Sequence, residues 1–144
     1  MYKVFLAIIL IVSQSAFAET EWVEFYHVPK TANPYDQAVY YAKLSSIQPV
    51  KLGAATYFLV ETKHDIEIRK KSFYEQSAVL CSGEEIAPAL SILKMGDYLP
   101  DGTLTISLDN GALKSISDFS LTKLDKNKPG PFSSLVNFVC GRVQ

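Results

Sequence analysis

Cysteine, histidine and tryptophan are scarce here: the 144-residue chain holds two, two and one of them. That scarcity excludes much familiar chemistry. No CxxC is present, so there is neither a dithiol redox motif nor half of a zinc ribbon. His27 and His64 stand in no HExxH and have no serine or cysteine partner in a recognisable motif. GxSxG, a phosphate-cradling glycine loop and an EF-hand loop are missing as well. The residues show no reaction, so an enzyme is not expected, and neither is a metal or a cofactor. Excess charge of one sign is also lacking. Fourteen Lys and Arg against fifteen Asp and Glu give a formal charge of −1, which offers no electrostatic reason to expect nucleic acid or an anionic membrane as partner. Linkers, repeats and low-complexity tracts are absent.

Long apolar runs are absent except at the start. Lys3 supplies a positive n-region, Val4 to Val12 an apolar core, and Ala16-Phe17-Ala18 the small-x-small form of a cleavage site, which together predict a signal peptide over residues 1–18. As an anchor the run is too short, since a spanning helix needs ~20 apolar residues. No cysteine near Ala18 can accept a lipid. The expected product is therefore residues 19–144, one exported domain without a membrane anchor, periplasmic or secreted.

The mature chain reads as strands first and a helix last. Trp22 to Val28 and Ala38 to Lys43 are rich in β-formers and are broken by Pro29 and Pro49. Val50 to Lys63 reads as one strand with apolar groups on both faces, followed by a tight turn at His64-Asp65. Ile66 to Cys81 is the longest extended run, with Ser77, Val79 and Cys81 on one face. Ser82-Gly83 turns the chain. Glu85 to Met95, interrupted by Pro88, reads as an edge strand. Gly96 and Pro100-Asp101-Gly102 bracket Tyr98, and Thr103 to Leu108 alternates as a further strand up to Asp109-Asn110-Gly111. Residues 112–125 are the least determined. Phe132, Leu135, Val136, Val139 and Cys140 then recur at i, i+3, i+4, i+7 and i+8, which predicts an amphipathic helix from Pro131 to Gln144. Pro131 suits its first turn and Gly141 its C-terminal cap.

Two cysteines in an exported chain most often pair; a thiol nucleophile and a metal pair are the alternatives, without supporting spacing. The simplest construction is a helix laid on a sheet and tied there by a Cys81–Cys140 disulfide. The expected fold is thus α+β, an antiparallel sheet of roughly six strands with a C-terminal helix on one face. A helix of about ten residues is ~15 Å long and cannot cover six strands spanning about 24 Å. Some apolar sheet surface should stay open, with Tyr57, Phe58, Val60 and the Tyr40-Tyr41 pair as candidates to line it.

Other candidates are weaker. Glu84-Glu85 has the form of an acid–base pair but follows a turn, where a solvated pair is the ordinary reading. His27 is a candidate ligand or pH switch. Lys63, Arg69 and Lys71 are candidates for a basic patch that meets an acidic protein segment or sulfated glycan, with Arg69 and Lys71 on one strand face.

In layout the chain resembles the bacterial surface-adhesin protein E family. The resemblance rests on Trp22 in an opening strand, Val39-Tyr40-Tyr41 followed by Ser45-Ser46-Ile47, and a strand carrying Tyr74 and Ser77 that ends in Cys81. It closes with Pro129-Gly130-Pro131 leading into a helix that carries Leu135, Val139 and Cys140. It implies a six-stranded sheet with a tethered helix, dimerisation through the sheet, and a non-enzymatic surface protein of Gram-negative bacteria that binds host matrix or plasma proteins. The founding adhesin resembles a lipoprotein with an N-terminal cysteine, which this chain lacks. Two functions are therefore expected from the sequence: a binding module with a host or bacterial protein as partner, or a periplasmic inhibitor or immunity protein acting by protein contact.

Overall fold

The computed structural model describes residues 21–29, 33, 37–81, 88–119 and 130–143. The predicted signal peptide, the Ser82-Gly83 turn, Glu84-Glu85 and Pro129 lie outside them.

Among the described residues, seven strands form one antiparallel sheet: β1 (Trp22–His27), β2 (Val39–Lys43), β3 (Gln48–Leu52), β4 (Ala55–Ile66), β5 (Lys71–Leu80), β6 (Ala89–Tyr98) and β7 (Leu104–Asp109). The order across the sheet is β1-β2-β4-β5-β6-β7, and β3 also pairs with β4. The twelve-residue β4 is the spine. Its full-length partner β5 occupies one flank, so β2 and β3 share the other, β3 along Ala55 to Leu59 and β2 along Thr62 to Asp65. A 3₁₀ turn at Leu44–Ser46 steps the chain from β2 to β3.

Several expectations are corrected. Val50 to Lys63 is not one strand: it folds back at Gly53-Ala54, and Pro49 lies inside β3 rather than ending β2. Gly53 has φ +60°, a conformation open to glycine at little cost and suited to the first position of a two-residue hairpin loop. His64-Asp65 is not a turn either; both residues pair within β4. The turn falls three residues later, at the 3₁₀ segment Glu67–Arg69 closed by Lys70 at φ 49°. The apparent strand alternation of Ile66 and Ile68 therefore misleads, and Ile68 stands in solvent. β6 is an interior strand, not an edge, because Pro88 falls just outside it and leaves its N–H groups free to pair on both sides. Gly96 lies within β6 rather than breaking it: a Cβ there would sit 2.3 Å from the Thr105 carbonyl oxygen.

The α-helix α1 (Pro131–Val143) lies on one face of the sheet. Its backbone begins with Ser134 N–H donating to Gly130 O at 3.0 Å. Leu135, Val136 and Val139 pack on Ala42, Val60, Val79 and Leu90, each large side chain contributing about 1.5–3 kcal/mol when fully buried. Two helix expectations fail: Phe132 stays exposed in the first turn, and Gly141 lies inside the helix instead of capping it. Cys140 is bonded to Cys81, with 5.6 Å between their Cα atoms. The link joins the end of β5 to the helix, on the face that Ser77, Val79 and Cys81 were expected to share.

The other face has a core of its own at the β3–β4 end. A 3₁₀ turn at Ile116–Asp118, with Ser115 and Asp118 forming a capping box, delivers Phe119 onto the Tyr57 ring at 5.8 Å. Tyr57, 4% exposed, and Val60, 0% exposed, are thus core residues. Neither lines an open surface, because Phe119 covers the first and α1 the second.

Candidate partner-binding face

What stays open on the face turned away from α1 is its other half, between Trp22 and Tyr98. Alternation along β4 sends Glu61 and Lys63 to this side, and their ladder neighbours follow: Tyr41 and Lys43 from β2, Tyr74 and Gln76 from β5. The surface is amphipathic, and its two lysines are paired with three carboxylates. The Lys63 Nζ lies 5.3 Å from the Trp22 ring centroid and 5.1 Å from that of Tyr41, with the Asp65 carboxylate 3.7 Å away. Such cation–π contacts are worth about 0.5–1 kcal/mol each at exposed sites, weak enough for an arriving ligand to rearrange them.

Beside it, the Lys43 Nζ sits 3.5 Å from carboxylate oxygens of both Glu21 and Glu61. Glu61 chiefly, then Glu21, raises the Lys43 pKa against the opposing effect of burial. Glu21 is held below the usual carboxylate range first by the Ser45 hydroxyl and then by Lys43. Tyr74 donates its hydroxyl to Glu61 at 3.3 Å. Burial, followed by the Glu61 carboxylate, pushes the Tyr74 phenol far above its ordinary value, so it remains a neutral donor. Tyr98 packs edge-on against Tyr74 at 6.0 Å and is raised for the same two reasons.

The helix face carries a second feature, joined to α1 through Phe25, whose ring meets both Phe138 and Tyr40. Tyr26, Tyr40, His64 and Phe73 form a ladder of rings across β1, β2, β4 and β5, with centroids 5.7, 4.8 and 4.8 Å apart. Burial lowers the His64 pKa, only partly offset by Asp65. Glu75 shares this face; burial raises its pKa against the opposing hydrogen bond from the Ser77 hydroxyl at 2.8 Å.

The sequence candidates are scattered over these surfaces. Lys63 belongs to the open face, while Tyr40 belongs to the ring ladder on the helix face. Tyr57 is buried. Arg69 is exposed in the 3₁₀ turn, not on a strand. Lys71 opposes Ile66 and Lys63 opposes Tyr74, which places the two lysines on opposite faces of the pleat. No single basic patch forms from the three, because the turn lies between Arg69 and the position expected for it. A groove of about 510 Å³ near Lys70 and Lys71 also holds Asp65 and Glu67, so its charges balance. His27 lies 3.6 Å from Glu24 in solvent. Lys43, Glu61, Gln76 and Tyr98 were missed. No sequence signal marks them, because both faces of β4 and β5 mix polar with apolar residues and only the strand register shows which side chains share a surface.

Among the described residues, no three His, Cys, Asp or Glu side chains converge as metal ligands, and no helix is long and apolar enough to cross a membrane. The fold and site define a class, an α+β domain with a disulfide-tethered helix on one face of its sheet and an amphipathic surface on the other. Compared with protein-family models, with curated proteins and with solved structures, the chain finds no match in any of the three.

Proposed function

We propose that this chain is an exported, non-enzymatic binding protein of the surface-adhesin protein E type. Its partner is a protein, of host matrix or plasma, received on the sheet face turned away from α1. One observation carries the reading: the partly exposed rings of Trp22, Tyr41 and Tyr98 alternate there with Lys43 and Lys63, whose charges are already paired, Lys43 with Glu61 and Lys63 with Asp65. Aromatic residues ringed by polar groups are the usual composition of a protein contact surface. A partner need not neutralise a buried charge to dock on it.

A second reading, a periplasmic inhibitor or immunity protein using the same face, is favoured by the absence of a lipid-accepting cysteine near Ala18. A pull-down tests both. Oxidised residues 19–144 are offered to matrix and plasma proteins and, separately, to bacterial periplasmic extract. Retention of a matrix or plasma protein, reduced by Lys63→Glu, supports the adhesin reading; retention of a periplasmic protein alone supports the inhibitor. Binding indifferent to Lys63→Glu contradicts the proposed face.

A further inference from the structure

β7 is one margin of the sheet: among the described residues β6 is its neighbour and no strand pairs with its outer side. All six of its residues are exposed. A strand in that position turns a row of backbone N–H and C=O groups outward, and proteins usually guard it with proline, lysine or a bulge. Leu104–Asp109 contains neither proline nor lysine. It has the bulge, at Ser107, which stands between Ile106 opposite Gly96 and Leu108 opposite Met95. The edge is therefore regular from Leu104 to Ile106 and interrupted after it.

Leu104 opposes Tyr98 and Ile106 opposes Gly96, so both share the open face, where they are 38% and 42% exposed. Leu99, in the turn that precedes them, is exposed as well. An apolar stripe along an unpaired ladder is the composition of a sheet edge that receives another strand. The charges of the same hairpin say which strand. Between Ala89 and Asp109 there is one lysine against three aspartates. Lys94 is paired with Asp109 at 3.5 Å, while the exposed Asp97 and Asp101 have no cation among the described residues. Asp97 stands opposite Thr105, and Asp101 accepts the Thr103 N–H at 2.9 Å, so both carboxylates flank the regular part of the edge.

We propose that the outer edge of β7 docks an extended, basic peptide segment of a partner protein, which joins the sheet as an additional strand. Its backbone pairs with the outward groups of Leu104 to Ile106, and its alternate apolar side chains lie beside those two residues. Lysine or arginine at its ends meets Asp97 and Asp101. A second copy of this chain fits less well, for two reasons. It would bring its own net negative hairpin against this one, and pairing about a two-fold axis would have to pass through both bulges within a six-residue strand. The inference goes beyond the reading of the face between Trp22 and Tyr98, and either can fail without the other.

Nuclear magnetic resonance titration of oxidised, ¹⁵N-labelled residues 19–144 with two capped synthetic peptides tests it. One peptide alternates threonine and valine with a lysine at each end; the other carries glutamate in place of lysine. The basic peptide should shift the backbone amides of Leu104 to Ser107 saturably and slow their hydrogen exchange. It should bind about tenfold more tightly than the acidic one at low salt, a preference that added salt removes. Ile106→Lys, at an exposed position, sets a charge on the edge and should weaken the basic peptide by about tenfold or more, while the rest of the amide spectrum stays that of the folded protein. Any of five outcomes would overturn the proposal. Neither peptide saturates; the two bind alike; Ile106→Lys binds as the wild type does; the shifts leave β7 untouched; or sedimentation finds a dimer that Ile106→Lys dissociates, which would give the edge to a second copy.

Discussion

Glu75 is the residue with the most to reveal about pH. It lies on the helix face, and burial raises its carboxyl pKa although the Ser77 hydroxyl donates to it. A raised carboxyl binds its proton more tightly in the folded chain than in the unfolded one. Stability is therefore lost as pH rises from the ordinary value, 4.5, through the folded one. Glu75→Gln should match the wild type below that window and exceed it in stability at neutral pH. Urea melts at the two pH values check this, and a wild type that is the more stable at neutral pH would contradict it. His64 acts in the opposite sense. Its lowered pKa contributes stability above 6.5 that is lost as pH falls towards the folded value. Neither behaviour was legible in the sequence. His64 beside Asp65 has the look of a turn, and only the register of β2, β4 and β5 sets its ring between Tyr40 and Phe73.

At the level of elements, legibility followed the length and regularity of the pattern. The terminal helix was readable because Leu135, Val136 and Val139 keep helical spacing, and β5 because Ser77, Val79 and Cys81 keep strand spacing. β3 and β4 merged because the alternation of Ala55, Tyr57 and Leu59 with Thr56, Phe58 and Val60 was extended back to Val50 across Lys51 to Ala54, and one glycine in a two-residue loop is a faint mark. That glycine should be sensitive. Gly53 has φ +60° with open space around it, so Gly53→Val meets no clash and costs only backbone strain, about 1–2 kcal/mol. Equal denaturation midpoints for variant and wild type would contradict the turn assignment. The boundary of β6 was missed for a related reason. Pro88 weighed against an interior strand, yet it sits one residue before the ladder begins and removes no hydrogen bond from it. Gly96 resembled a stop, whereas its missing Cβ is what allows β7 to approach.

For the whole molecule, the covalent tie and the partial cover of the sheet go together. α1 packs over Val60 and Val79, Phe119 closes the Tyr57 end of the opposite face, and the half between Trp22 and Tyr98 is left to polar and aromatic side chains. The sequence showed that one helix could not cover the sheet, but it misplaced the open part, because burial of Tyr57 depends on a segment with no clear periodicity. The Cys81–Cys140 bond spans 59 residues, and in the chain-entropy model such a loop is worth roughly 4 kcal/mol. Cys140→Ser should lower the stability of the oxidised domain by up to about that amount, and unchanged melting would show that the tie does not constrain the unfolded chain. The claim most in need of a test is that the working surface is the face opposite α1. The direct measurement is partner affinity by calorimetry for two variants. Trp22→Ala alters the open face, and Asn137→Glu alters the exposed side of the helix. Binding at least tenfold weaker for the first and wild-type affinity for the second are expected; the reverse pattern would put the working surface on the helix side instead.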